Sequence, residues 1–155
     1  MTHVPDFGPV ESLRRVDTHG FRTTAPPERV IATLGAILLV AFGSRRARFM
    51  ARVLGCQNRG PTRPFLLEPG AELAGFRVVA ARSEEVVLAG RHRFSRYGLI
   101  FRAGRMAEGT SVSAETKAEF PGILGKIYRV FVISSGAHDR VMRRLMGKLK
   151  RRVEE

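Results

Sequence analysis

The sequence predicts an α+β fold: a curved antiparallel sheet of about six strands wrapped around one long C-terminal helix, with two shorter helices after the first strand. Three patterns carry this. Ser111 to Phe120 alternates with period two, setting Val112, Ala114, Thr116, Ala118 and Phe120 on one side and Ser113, Glu115, Lys117 and Glu119 on the other. From Arg140 to Val153 the apolar Val141, Met142, Leu145, Met146, Leu149 and Val153 share one arc of a helical wheel, with Arg140, Arg143, Arg144, Lys148, Lys150 and Arg151 opposite. Between Gly75 and Phe120, short strand-like runs follow one another across brief turns, the signature of an antiparallel meander.

Taken in order, Val16 to Thr24 is a first strand with His19, Phe21 and Thr23 on one face. Ala25-Pro26-Pro27-Glu28 ends it and opens a helix, because proline suits a first helical turn and an acid suits its positive end. That helix carries Val30, Ile31, Leu34, Ile37, Leu38 and Ala41 to a break at Gly43-Ser44. Arg45 to Leu54 is a second helix with an apolar side of Phe49, Met50, Val53 and Leu54, capped by Gly55. Gln57 to Pro69 is a loop in which Phe65 to Leu67 is expected as a short edge strand. Strands follow at Gly75 to Arg82, Glu85 to Phe94, Tyr97 to Ala103 and Thr110 to Phe120. Pro121-Gly122 halts the last, and a helix from near Leu124 is expected to run to the end, kinked at Ser134-Ser135-Gly136.

The chain of 155 residues is long enough to bury one core and is read as one domain, with residues 1–13 as a loosely ordered leading segment. Met1 to Leu13 lacks the basic start, apolar stretch and small-residue cleavage site of a secretory signal, so a cytoplasmic location is expected. Val30 to Phe42 is apolar, but as a helix it rises only about 20 Å against roughly 30 Å of bilayer core. Cys56 stands alone, which excludes an internal disulfide and a Cys-rich zinc site and marks it as a structural thiol. His3, His19, His92 and His138 fall on separate elements without short ligand spacing, so neither metal nor cofactor is expected.

A net charge of +13 favours polyanions in general. Of the 27 basic residues only Lys117, Lys126, Lys148 and Lys150 are lysine, and the arginines are scattered through every element. No zinc finger, RNP-type motif or glycine-rich phosphate loop is present, so specific nucleic-acid recognition is not expected. An anionic membrane surface stays a candidate partner for the Arg45, Arg46, Arg48 and Arg52 cluster and the basic face of the terminal helix.

The segment VDTHGFRTTAPPERVIATL (Val16 to Leu34), followed by GFRVV, EEVVLAGRHRF and SVSAETKAEFPG and the helix beyond, resembles the START-like or SRPBCC superfamily. This is the helix-grip fold of birch-pollen-allergen relatives and polyketide cyclase-like proteins. More narrowly the chain is similar to an uncharacterised bacterial subgroup with Phe-Pro-Gly and Gly-x-x-Tyr before the terminal helix, here Phe120-Pro121-Gly122 and Gly125 to Tyr128. The resemblance implies a hydrophobic cavity between sheet and helix that takes an apolar or amphipathic small molecule.

On the residues themselves, Ile127, Phe131, Ser134, His138, Val141, Leu145 and Leu149 fall on or near one arc of a continuous terminal helix, and His92 shares a strand face with Leu88, Gly90 and Phe94. The expected ligand-binding set is Phe21, His92, Phe94, Tyr128, Phe131, Ser134, His138, Val141 and Leu145. Against this stands the plainer reading of each histidine as a buried group bonded to backbone. Glu115 and Glu119 are read as ion-pair partners of Arg91, Arg93 or Arg102 rather than as a catalytic pair. A Ser134, His138, Asp139 triad is disfavoured because Asp139 lies about 100° from His138 on the wheel. Two alternatives to a pure binder follow: a cyclase or dehydratase-like enzyme with His92 or His138 as acid or base, and a basic module docking on anionic membrane or nucleic acid.

Overall fold

A computed structural model describes residues 9–58 and 60–155. Strand β1 (Arg14–Thr23) leads through the helices α1 (Pro27–Phe42) and α2 (Arg45–Leu54) into β2 (Glu72–Leu73), β3 (Phe76–Ala81), β4 (Glu85–Arg91), β5 (Arg96–Arg105) and β6 (Thr110–Glu119). The six strands form one antiparallel sheet in the order β1-β6-β5-β4-β3-β2. Helices α3 (Gly122–Arg129) and α4 (Ala137–Glu154) complete the chain.

Local chemistry explains the boundaries. Pro26 is extended and Pro27 occupies the first turn of α1, where its missing N–H leaves no unpaired donor. Thr110 donates its hydroxyl to the Ala25 carbonyl at 2.6 Å, tying the β1 to α1 turn to the start of β6. Ser44 caps α2 by accepting from the Ala47 N–H at 3.2 Å, and Gly55 closes it in the left-handed conformation. The edge strand expected at Phe65 to Leu67 lies instead at Glu72–Leu73, paired with Arg77 and Phe76. Phe65 and Leu67 are drawn onto the core beside α1, where the Leu67 side chain packs over Gly35.

The concave face of the sheet and the helices enclose the main core. Leu34 and Leu38 of α1, Leu88 of β4, Phe101 of β5 and Met142, Leu149 and Val153 of α4 are all buried there. A second cluster on the other face joins Val87, Ala89 and Ile100 to Val10. Val10 belongs to a short 3-10 turn, Val10–Ser12, so the loosely ordered segment expected over residues 1–13 does not extend to residues 9–13. The remainder of that expectation, residues 1–8, lies outside the described residues.

The terminal helix is broken, not continuous. α3 passes into a π-helical turn, Val130–Ser134, and Gly136 takes a left-handed conformation (φ 77°) before α4 begins. A π turn holds more residues than an α turn, so the wheel positions of Ile127 and Phe131 lose phase with those of α4. No single described helix is long and apolar enough to cross a membrane; α1 and α2 pass that test only as a pair, and they are bent by 67°.

Candidate functional site

A partly open cavity of about 470 Å³ lies between the concave face of β5 and β6, the corner of α1 and α2, the π turn and the start of α4. Aromatic rings form its wall in an unbroken series. Phe42 packs on Phe76 (4.9 Å between centroids), Phe76 on Tyr97 (5.2 Å), Tyr97 on His92 (5.3 Å) and His92 on Tyr128 (4.7 Å). Behind that wall Phe94 stacks on Tyr128 at 5.4 Å. Ala47, Met50, Ala51 and Leu54 line the α2 side, Val132 and Ile133 the π turn, and Val141 and Met142 the α4 side.

His92 follows β4 in the turn to β5. The Phe94 N–H donates to its Nδ1 at 3.0 Å, which places the ring proton on Nε2, 3.2 Å from Ser95 Oγ. Its own N–H donates to the Ser95 carbonyl at 3.0 Å. Burial (8% exposed) pushes the imidazole down to about 4, so it is neutral at physiological pH. With both ring nitrogens engaged, His92 holds the turn and offers the cavity a ring face. Tyr97 donates its hydroxyl to the Gly75 carbonyl at 2.6 Å, and Cys56 Sγ lies 3.7 Å from the Tyr97 hydroxyl oxygen. Burial raises both the Tyr97 and the Tyr128 phenol, keeping each protonated.

The neutral state of His92 has a measurable consequence. The unfolded chain accepts a proton as pH falls below 6.5, whereas the folded chain refuses it until about 4. The resulting stability is intact above pH 6.5 and is lost as pH drops through that window, by about 3 kcal/mol at most. Urea unfolding of the parent and of His92→Asn at pH 7.5 and pH 4.5 is expected to show the larger acid loss in the parent. Equal losses would mean that His92 titrates normally.

The polar end of the cavity is formed by Thr116 and His138, with Asp17 against His138. Register between β1 and β6 slips between Arg15 and Asp17, a bulge beside which Val16 lines the cavity, while Asp17, on the face of His19 and Phe21, meets α4. His138 Nε2 then lies 3.0 Å from Thr116 Oγ1 and 3.3 Å from Asp17 Oδ2, and His19 Nε2 approaches the same Asp17 oxygen at 3.3 Å. Asp139 Oδ1 is 3.5 Å from His19, while its other oxygen accepts from Arg143 Nε at 2.7 Å. Asp17, His19 and Asp139 each place one ligand atom within 4.8 Å of the others, a spacing one cation could bridge. Their contacts with one another, with His138 and with Arg143 give an account of the cluster as an ion-pair network.

Of the residues expected at the site, His92, Tyr128, His138 and Val141 border the cavity, and Phe94 supports Tyr128 from behind. Four are placed elsewhere. Phe131 is 72% exposed and Ser134 faces solvent, because the π turn directs Val132 and Ile133 inward instead. Phe21 packs against the main core from β1, and Leu145 is buried in that core. The expected apolar side of α2 also faces outward in large part, with Phe49, Met50 and Val53 exposed and Ala51 buried. Glu115 pairs with Arg102 at 3.1 Å as expected, while Glu119 pairs with Arg96 at 3.7 Å rather than with Arg91 or Arg93. Sequence reasoning missed Phe42, Phe76, Tyr97 and Asp17. The first three were legible only as members of a helix and of strands, and Asp17 only by its period-two place beside His19 and Phe21.

Sheet order, antiparallel pairing and the long closing helix together define the helix-grip class, the fold of birch-pollen-allergen-like proteins. Among solved structures the chain is similar to KanY protein, at 15% identity over 93% of this chain and 99% of that one, with a TM-score of 0.55. It is also similar to a conserved protein from Geobacillus kaustophilus (14% identity, 88% and 93% covered, TM-score 0.54) and to Ara h 8.0201 (8%, 89% and 98%, TM-score 0.50). These likenesses concern the fold. No protein-family model and no curated protein matches the chain.

Proposed function

We propose that the chain binds an apolar or amphipathic small molecule in this cavity, as its resemblance to the START-like superfamily implies. The observation that carries the reading is the ring-lined space of about 470 Å³, within the range of small-molecule sites and too large to be ordinary packing voids. Burial of apolar ligand surface drives binding, at about 25 cal/mol per Å². Thr116 and His138, the latter held by Asp17, supply one polar end for orientation. Purified protein is expected to enhance the fluorescence of 1-anilinonaphthalene-8-sulfonate at a saturable site, with displacement by medium-chain fatty acids or flat polycyclic phenols. Absence of saturable binding across that panel, together with native mass spectra free of any co-purified small molecule, overturns the reading.

One observation favours a second reading. Asp17 beside His138 is an arrangement that orients an imidazole, and His138 faces the cavity, so it could serve a bound ligand as general acid or base. Turnover of a cyclisable or dehydratable polyketide-like ligand, lost in His138→Gln with binding retained, would support an enzyme. Binding without turnover leaves the carrier or sensor.

A further inference from the structure

Helices α2 and α3 bury their small residues and expose their large ones. In α3 the buried residue is Gly125, which lies so close to the chain that a Cβ there would come within 2.7 Å of the Phe120 carbonyl carbon. Outward from it and from the following π turn stand Ile123 (78% exposed), Leu124, Ile127, Val130 and Phe131. In α2 the buried residue is Ala51, with Phe49, Met50 and Val53 exposed. A helix serving only the core shows the reverse pattern, and an apolar surface of this extent marks a docking face. Both segments border the same cavity, through Met50 and Leu54 on one side and Tyr128, Val132 and Ile133 on the other.

Charge selects the occupant. Neither α2 nor the stretch from Gly122 to Ser134 contains an acidic residue, while Arg45, Arg46, Arg48, Arg52, Lys126 and Arg129 rise among the apolar side chains. A second copy of this chain, itself carrying +13, would bring those cations against their own kind. An anionic bilayer surface accepts both features: acyl chains take the aliphatic and phenyl groups, and lipid phosphates take the arginines. We propose that α2 and α3 dock the chain on an anionic membrane surface with the cavity mouth turned toward the lipid.

The test is flotation of the full chain with vesicles of phosphatidylcholine alone or of phosphatidylcholine with phosphatidylglycerol. Binding is expected to the anionic vesicles, and to weaken steeply with salt. Two exposed-site variants dissect it, with circular dichroism checking that each remains folded. Leu124→Ser/Phe131→Ser changes no charge and is expected to weaken anionic-vesicle binding about tenfold or more. Arg48→Glu/Arg52→Glu is expected to do the same at low salt. No flotation with anionic vesicles overturns the proposal. So does parental binding by Leu124→Ser/Phe131→Ser, which would leave only the nonspecific attraction that RNA would equally satisfy. A dimer in sedimentation that the serine variant dissociates, without vesicle binding, would assign the face to a second copy and overturn it as well.

Discussion

Ala118→Phe is expected to exclude ligands from the cavity while leaving the protein folded. Ala118 lies opposite Tyr97 in the β5 and β6 pairing, is 6% exposed and directs its methyl group into the cavity. Overpacking a filled core destabilises by about 1–3 kcal/mol because neighbours must leave their rotamers. Here the added ring enters space that is already empty, so a penalty at the lower end of that range is expected. The same ring occupies the volume a ligand needs and lies beside Tyr97, in the aromatic wall the ligand would contact. Affinity for 1-anilinonaphthalene-8-sulfonate and for fatty acids is expected to fall at least about tenfold, equivalent to about 1.4 kcal/mol. Leu124→Ser is the control, since it trims the exposed face and leaves the cavity intact. If Ala118→Phe folds and still binds like the parent, the ligand sits elsewhere, and if Leu124→Ser removes the signal, the dye reports the exposed helix and not the cavity.

Parts of the molecule governed by short-range rules were legible in the sequence. The change from period two to period 3.6 at Pro26-Pro27 places the end of β1 and the start of α1, and the Ser44 and Gly55 caps bound α2 at Arg45 and Leu54 as expected. What was not legible depends on phase and register. Periodicity identifies the apolar arc of α2 but not whether it meets the core; with Ala51 as its contact, the helix turns that arc to solvent. On the terminal helix, Ser134-Ser135-Gly136 announces a break, yet the π turn before it decides that Val132 and Ile133 face inward while Phe131 does not. The extra residue between Arg15 and Asp17 in β1 brings Val16 to the cavity, which period two does not announce. Asp17 shares the face of His19 and Phe21 by period two, but no local signal sets its contact with His138, or that of His19 with Asp139, across to α4. The aromatic series is likewise a product of pairing across β3, β4 and β5, and long-range pairing leaves no trace in any one segment.

Gly90→Val is expected to be the most damaging single substitution in the cavity wall, lowering stability by about 3 kcal/mol or more. Gly90 pairs with Tyr97 across β4 and β5, and a Cβ there would fall well inside contact distance of both the Tyr97 ring and the Gly75 carbonyl oxygen. Neither can step aside cheaply. The Gly75 oxygen accepts the Tyr97 hydroxyl at 2.6 Å, Gly75 itself holds a left-handed turn at φ 85°, and the Tyr97 ring is wedged between Phe76 and His92. The absence of a side chain at Gly90 is thus what lets the tyrosine lie across the strand and complete the wall. Gly104→Ala supplies the internal contrast, because the nearest atom to a Cβ there is the Ser111 carbonyl oxygen at 4.0 Å. Its effect in urea unfolding is expected within about 0.5 kcal/mol of zero. Should Gly90→Val fail to accumulate as folded protein, Gly90→Ala carries the measurement: it is expected to be less stable than Gly104→Ala and, by displacing Tyr97, to bind cavity ligands more weakly. Equal stability of the two alanine variants would show that the wall yields, and that the tight approach at Gly90 does not hold the rings in place.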